Sequence, residues 1–519
     1  MPVLVYSRPA LPDLKVRMNR LTQAALMSLC GLVAATACAG PSLTPGAQTG
    51  PDVGAVLRSE VSEPLQGEEL DLTGSTGTSG RRTVELQRFT SGSWTSAVAK
   101  VRSSASGRFQ FSALRVDQDQ VYRARTAGSS PIVTNALKLE VQPARQDAAV
   151  KTMPLLAGRA TEATGDVKRG LGLVQAGFEP ARRGRTVEFE ARGDDGTWRS
   201  MGRTAQDENG RAALITKDPQ QYDRWRVTTA AYHGLPEATA EKAPVRWKET
   251  FESDFTESGS SDQWKNRLVR TWLPDRTCSF ISADQVSYPG GVATLSTEAL
   301  SKEPRGMEGT APGNQVHEQL CTDATDQARY YASSMIVSQK DGQLYSFVHG
   351  VAAARIKFDP KAGQHAAFWL QTNQDQDTEV DVVESYGRGV RPLSSGLHVT
   401  QKDGTTRPFQ IRLHEVLPPD IDDDWYTKFH TFSVEWTPRQ LVFRVDGIET
   451  FRTSRGATSS PHFVLLSNFA ADYEVRYNTG ERASMEVDWV RVWQEPDDVP
   501  AEEGPATTED EPDLVAPPS

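Results

Sequence analysis

The sequence predicts an all-β protein built of successive β-sandwich units, and three observations carry that reading. Apolar and polar residues alternate at period two in short runs such as TVELQ (83–87) and RFQF (108–111), with Ser-Gly or Asn-Gly turns ahead of the strands. One pattern occurs twice, with Thr83, Gly107 and Tyr122 matched by Thr186, Gly210 and Trp225 at an offset of 103 residues. From about Val245 to Gln494 tryptophans become denser and alternating runs recur (VAAARIKF, TFSVEWT, LVFRVDG, FVLLSNF), while no run keeps a helical period beyond two turns.

In chain order, residues 1–38 read as an export signal whose true start is Met1 or Met18. Arg20 supplies a basic n-region and Leu21 to Ala37 a mostly apolar stretch ending in small residues. Ala35-Thr36-Ala37 before Cys38 fits either an Ala-x-Ala cut or a lipoprotein-type site, in which lipidated Cys38 would anchor the chain to a membrane. Residues 39–53, rich in Pro, Gly, Ser and Thr, read as a linker. The repeat copies occupy 54–148 and 149–246, a larger all-β domain occupies 247–496, and the acidic, Pro-rich tail 497–519 has almost nothing to bury. Trp94 and Trp198 fall at matching places in the two copies, which points to packing within each copy ahead of sugar stacking.

Charge and cysteine usage narrow the function classes. A net charge of −11 and pI near 5.4 exclude a polyanion such as nucleic acid as the main partner, since that binding rests on clustered Lys and Arg. A neutral polymer suits the chain better, and a secreted or cell-surface monomer is expected. Of four cysteines, Cys30 and Cys38 lie in or beside the signal, leaving Cys278 and Cys321 as one disulfide or two separate thiols. No Cys-x-x-Cys spacing suggests zinc.

The chemistry-bearing segment is TEVDVVESY (378–386), three carboxylates set among strand-forming valines. In a regular strand Glu379 and Asp381 share a face and Glu384 points to the other. A one-residue bulge at Val382 or Val383 would bring Glu384 back, so that three acids line one surface. Two such carboxyls are what a retaining glycosidase needs, one as nucleophile and one as acid then base. Asp381 between them would support Glu379 and, by crowding negative charge, raise the pKa of a neighbour. The spacing alone also fits the wet face of an edge strand.

The flanking segments resemble a family. TEVDVVES looks like the Glu-x-Asp-x-x-Glu signature of family 16 glycoside hydrolases in its bulged, laminarinase-like form. GQHAAFWLQTN is similar to the family's Gly-x-Trp-Pro-Ala-x-Trp-Leu strand, and SGLHVT, FHTFSVEWTPRQLVFRVDG, LLSNFA and MEVDWVRVWQ follow in order. HGVAAARIKF departs from the family's Tyr-Gly-x-x-Glu-Ala-Arg-Ile-Lys, with His349 and Ala353 in place of Tyr and Glu, which puts the cleft's edge in question. The repeats loosely resemble the immunoglobulin-like modules appended to secreted bacterial enzymes.

The resemblance implies a concanavalin A-like jelly-roll sandwich after two immunoglobulin-like domains. It also implies a retaining endo-β-glycanase acting on polysaccharide, β-1,3-glucan first. Galactan-type polymers, transglycosylation and a non-catalytic carbohydrate-binding role are the alternatives. It makes Glu379 the nucleophile, Asp381 its supporting acid, Glu384 the acid/base, Trp369 the cleft floor and His398 a partner of sugar or Asp381. Trp264, Trp272 and Trp425 lie in loop-like polar surroundings suited to stacking on sugar rings, and either Glu435 or Trp436 would face the cleft. Arg388, Arg391, Lys402 and Arg407 after the motif leave room for an anionic glycan. No cofactor is required, and Asp488 stands where some members bind one structural calcium ion.

Overall fold

In the computed structural model, the described residues lie between 54 and 498, the longest gaps being 158–170, 308–329, 373–377, 401–405, 418–424 and 472–479. The proposed signal, Cys38, the linker and the tail therefore lie outside the described residues. Strands dominate throughout, as the alternating pattern predicts.

Each repeat copy folds into two facing sheets. In the first copy, Val56–Ser59, Glu68–Ser75 and Arg108–Val116 form one sheet, and Thr83–Thr90, Gln120–Thr126 and Leu137–Leu139 form the spine of the other. Leu57, Leu72, Leu86, Phe111 and Tyr122 fill the space between them. The second copy opposes Asp147–Ala157, Leu171–Glu179 and Arg211–Thr216 to Thr186–Arg192, Trp198–Ala205, Arg224–Thr229 and Ala238–Lys242. Its core holds Val174, Phe189 and Trp225, so Tyr122 and Trp225, matched in sequence, are both buried packing residues. Trp94 and Trp198 lie under Arg123 and Arg226, each guanidinium 4.3 Å from the ring centre. That packing occupies the faces a sugar would stack on.

The larger unit is a sandwich of two antiparallel-dominated sheets. One runs from Leu441–Val445 through His430–Trp436 and Gly350–Lys357 to the long strand Arg482–Gln494, whose far edge pairs Lys248–Ser253 and Ala293–Leu300. The other runs, in spatial order, Trp264–Asn266, Tyr330–Lys340, His462–Ala470, Gln364–Gln371, Thr378–Ser385, Ser394–Thr400 and Thr406–Arg412. Between them sits a core that includes Phe251, Phe255, Phe368, Leu370, Phe432, Val434, Leu466 and Val490. Asp446 and Gly447 both have positive φ, 50° and 83°, as a tight two-residue hairpin between Leu441–Val445 and Ile448–Thr453 demands.

The second repeat sandwich packs directly on the larger one. Met153, Leu156 and Leu173 meet Trp247, Val351, Ala353, Trp489 and Trp493 in one buried cluster. Lys151 Nζ lies 2.7 Å from Glu435 Oε1, Arg211 Nη1 lies 2.6 Å from Glu449 Oε1, and Arg444 donates to Gln175 at 2.9 Å. Ala353 therefore does not edge a cleft, as the sequence suggested. It lies on the sheet face covered by the preceding sandwich, where a small apolar side chain lets the two units meet.

Candidate active site

The bulge foreseen from the motif is present. Asp381 pairs with Gly396 and Glu384 with Ser394, so three steps along one strand match two along its neighbour. The opposite neighbour shows the same slip between Phe368 and Trp369. Val382 and Val383 consequently both turn into the core between the sheets, at 2% and 0% exposure, and Glu384 returns to the face that carries Asp381.

That face, turned away from the sandwich core, gathers most of the proposed site. Glu379 pairs with His398, whose Nε2 lies 4.0 Å from Glu379 Oε1 and 3.6 Å from Asp381 Oδ2. Asp381 is buried and opposite Trp369, which is 9% exposed and donates from Nε1 to Ser467 Oγ at 3.1 Å. Trp369 packs on this outer face with Met335, Val337, Phe463 and Leu465 rather than in the central core. Gly396 makes room beside Asp381, because a Cβ there would stand 2.8 Å from the Phe409 carbonyl oxygen and 3.6 Å from Asp381 Oδ2.

Glu384 is held by three groups, two of them, His365 and Gln410, from outside the motif. His365 Nε2 lies 2.7 Å from Oε1, Gln410 donates to Oε2 at 2.9 Å, and the Tyr386 hydroxyl reaches Oε1 at 3.4 Å. His365 stacks on Tyr386 with ring centres 4.3 Å apart, and its Nδ1 lies 2.7 Å from Arg276 Nη2. Sequence reasoning missed His365, Gln410 and Arg276. His365 occupies the place of the first Trp in Gly-x-Trp-Pro-Ala-x-Trp-Leu, and that departure was its one sequence signal; Gln410 and Arg276 had none.

The electrostatics separate the acids. Burial, then the nearby charges of Glu384 and Glu379, push Asp381 well above the ordinary carboxyl range. Burial also pushes Glu384 upward, but the hydrogen bonds it accepts from His365 and from the Gln410 amide work against this and the group lies below its ordinary value. The expectation that Asp381 would raise a neighbour is thus reversed: Asp381 itself carries the raised pKa, because Glu384 has donors and Asp381 lies between two acids.

Four tryptophans and Asp488 are corrections. Trp264 stacks on Phe255 and donates to Ser253 inside the core, and Trp425 joins the same core. Trp436 is buried between the sheets against Phe347 and His462, while its neighbour Glu435 faces the second repeat sandwich, so neither reaches the cleft. Trp272 packs edge-on against Phe280, 6% exposed. Polar neighbours in sequence suggested exposed stacking platforms, but burial of an indole outweighs the pull of flanking polar residues. Asp488 is fully buried in an ion pair with Arg355, so its carboxylate is committed to a guanidinium rather than offered to calcium. Cys278 is disulfide-bonded, and Cys321 lies outside the described residues.

Comparison with known proteins identifies this sandwich. Residues 305–491 match the profile of Glycosyl hydrolases family 16. The chain carries a family 16 domain. A β-glucanase of Fibrobacter succinogenes is 26% identical over 177 residues, covering 30% of this chain and 48% of that protein. The chain thus spans about half the length of the curated relative it matches. Among solved structures, the catalytic domain of an endo-1,3-β-glucanase (laminarinase) from Thermotoga petrophila superposes with a TM-score of 0.36 at 15% identity, covering 48% of this chain and 98% of that one. A β-1,3-1,4-glucanase (lichenase) derived from a mouse hindgut metagenome gives 0.35 at 16%, covering 47% and 97%. The bulged strand and its three acids lie inside the matched residues, and Arg276 lies ahead of them.

Proposed function

We propose that the chain is a secreted or cell-surface retaining endo-β-glycanase, cleaving β-1,3-linked glucan. The observation that carries this reading is the bulge between Asp381 and Glu384, which turns Glu384 to the face of Asp381 and His398. The family 16 match and the β-glucanase relative support the substrate class. Glu379 would attack the anomeric carbon while Glu384 gives its proton to the departing glycosidic oxygen, forming a glycosyl ester on Glu379. Glu384, now ionised, would take a proton from water as that water attacks the same carbon and frees Glu379. Neutral Asp381 would lie beside both without adding a third negative charge.

An anionic polymer, such as a sulfated galactan, is the second reading. Arg267 favours it: buried at 7% exposure, over the Phe463 ring and bonded to the neutral Gln371, it forms no ion pair among the described residues. Reducing-end release from laminarin, mixed-linkage glucan, agar, carrageenan and galactan separates these readings. Release from laminarin abolished by Glu379→Gln supports the first, release from carrageenan alone supports the second, and no release from any polymer overturns both.

A further inference from the structure

Outside the acid motif, the most unusual local chemistry is the contact line Arg276, His365, Glu384. An arginine side chain has donors and no acceptor, so Arg276 Nη2 at 2.7 Å from His365 Nδ1 must donate to it. A ring nitrogen that accepts carries no proton. His365 is therefore the neutral tautomer protonated at Nε2, and that N–H is what Glu384 Oε1 accepts at 2.7 Å. All three side chains are largely buried, His365 at 14% and Glu384 at 9% side-chain exposure, so water does not level these differences.

We propose that Arg276 and His365 are positioning residues that make Glu384, rather than the imidazole, the group that takes up the next proton. A histidine beside a carboxylate ordinarily takes up a proton to become imidazolium, leaving the carboxylate charged. In that state Glu384 has no proton for a leaving group. Arg276 blocks this outcome twice, by occupying Nδ1 as a donor and by placing a positive charge where imidazolium would form. The next proton bound by the His365–Glu384 pair then goes to the carboxyl. Other groups around His365 do not reverse this. Tyr386 stacks on its face with Arg391 over the same phenol ring, Phe469 from the adjacent strand is neutral, and Gln410 donates to the other oxygen of Glu384. Asp381 and His398 act on Glu384, one repelling its charge and the other favouring it.

The inference rests on the proposed role of Glu384, but its decisive test does not need turnover. Full-length protein labelled at the histidine ring nitrogens is followed by NMR through the pH range, with His365→Gln assigning the signals. Wild-type His365 is expected to stay neutral and protonated at Nε2 from about pH 8 down to about pH 5, below the ordinary histidine value of about 6.5. In Arg276→Met it is expected to become imidazolium with a midpoint above about 6.5, while Arg276→Gln, which can still donate to Nδ1, keeps the Nε2–H tautomer. Wild-type His365 protonated at Nδ1, or titrating alike in wild type and Arg276→Met, overturns the proposal. If Arg276→Met does not fold, the wild-type tautomer and Arg276→Gln still decide. On the polymer identified by the substrate panel, Arg276→Met is expected to lower kcat about tenfold or more with KM changed less than about threefold. Unchanged kcat overturns the catalytic part. A chain that cleaves nothing overturns the hydrolase reading and leaves the proton placement to the NMR result.

Discussion

Lys151 of the second repeat sandwich and Glu435 of the family 16 domain form a 2.7 Å ion pair across the junction between the two units. Glu435 is also bonded at 2.6 Å to Arg444, which donates back to Gln175 of the repeat. The carboxylate is thus shared between a cation on each side of the junction. Burial raises the pKa of Glu435, but the charges of Arg444 and Lys151 outweigh it and bring the group down to about 2. Its folded pKa lies below its unfolded value, so its contribution is complete above the ordinary carboxyl range and is lost as pH falls towards about 2. The shift corresponds to on the order of 3 kcal/mol. Thermal melts of the full chain are expected to show stability falling between about pH 4.5 and about pH 2, with Glu435→Gln less stable at neutral pH and its loss over that window smaller. An unchanged acid slope in Glu435→Gln would falsify the assignment.

The apolar part of the same junction predicts a dependence of the family 16 domain on the repeat beside it. Met153, Leu156 and Leu173 cover Trp489, Trp493 and Ala353, and an isolated 247–496 fragment would present those residues to water. The fragment is expected to melt lower than the full chain and to self-associate, as light scattering would show. Ala353→Glu, which restores the residue of the related pattern, is expected to destabilise the full chain by about 3 kcal/mol or more, because it forces a larger, charged side chain into the apolar cluster that Met153, Leu156 and Leu173 form with position 353. The same substitution in the fragment is expected to cost little. Equal effects in both would mean that the repeat does not cover position 353.

Gly396 is predicted to be indispensable for a steric reason. A methyl group there would stand 2.8 Å from a backbone carbonyl, which cannot swing away as a side-chain end could. Gly396→Ala is expected to destabilise the protein by about 1–3 kcal/mol. It is also expected to lower activity more than the melt shift accounts for, because the strand that must move carries His398 and flanks Asp381. Full activity at a temperature where the variant is folded would show that the spacing between these strands is slack.

How much of this was legible in the sequence divides by the range of the interaction. Period-two alternation gave the sandwiches, the offset of 103 residues matched Tyr122 to Trp225, and the spacing of Glu379, Asp381 and Glu384 required the bulge that the Val382–Val383 pair now shows. These depend on neighbours along the chain. Two of the three partners of Glu384, His365 and Gln410, come from distant segments, and only His365 left a trace, as a mismatch to a pattern. Trp264, Trp272 and Trp425 were misplaced because polar neighbours along the chain do not reveal which indoles distant segments bury, and the choice between Glu435 and Trp436 missed the repeat sandwich that covers that face. Asp488 was misread because its partner Arg355 lies 133 residues away.

The two acids beside each other in the motif predict a pH response with a definite sign. Glu384 sits below the ordinary carboxyl range, so its acid form, which the first step consumes, is abundant only at acidic pH. Activity is expected to be highest on the acid side and to fall as pH rises through the ordinary carboxyl range, before neutrality is reached. Glu384→Ala is expected to lose about 10²–10⁴-fold on a polymer and much less on an aryl glycoside whose leaving group needs no proton. Asp381 behaves oppositely. Raised well above its usual range by burial and by both glutamates, it is neutral where the enzyme works, so its proton should matter more than its charge. Asp381→Asn keeps the shape, the neutrality and a donor, and is expected to retain more activity than Asp381→Ala by about tenfold. Its basic limb should also lose whatever part comes from ionising Asp381. If Asn and Ala prove equally damaging, an ionised Asp381 is required instead, and the order of protonation in the three acids is the reverse of the one the structure supports.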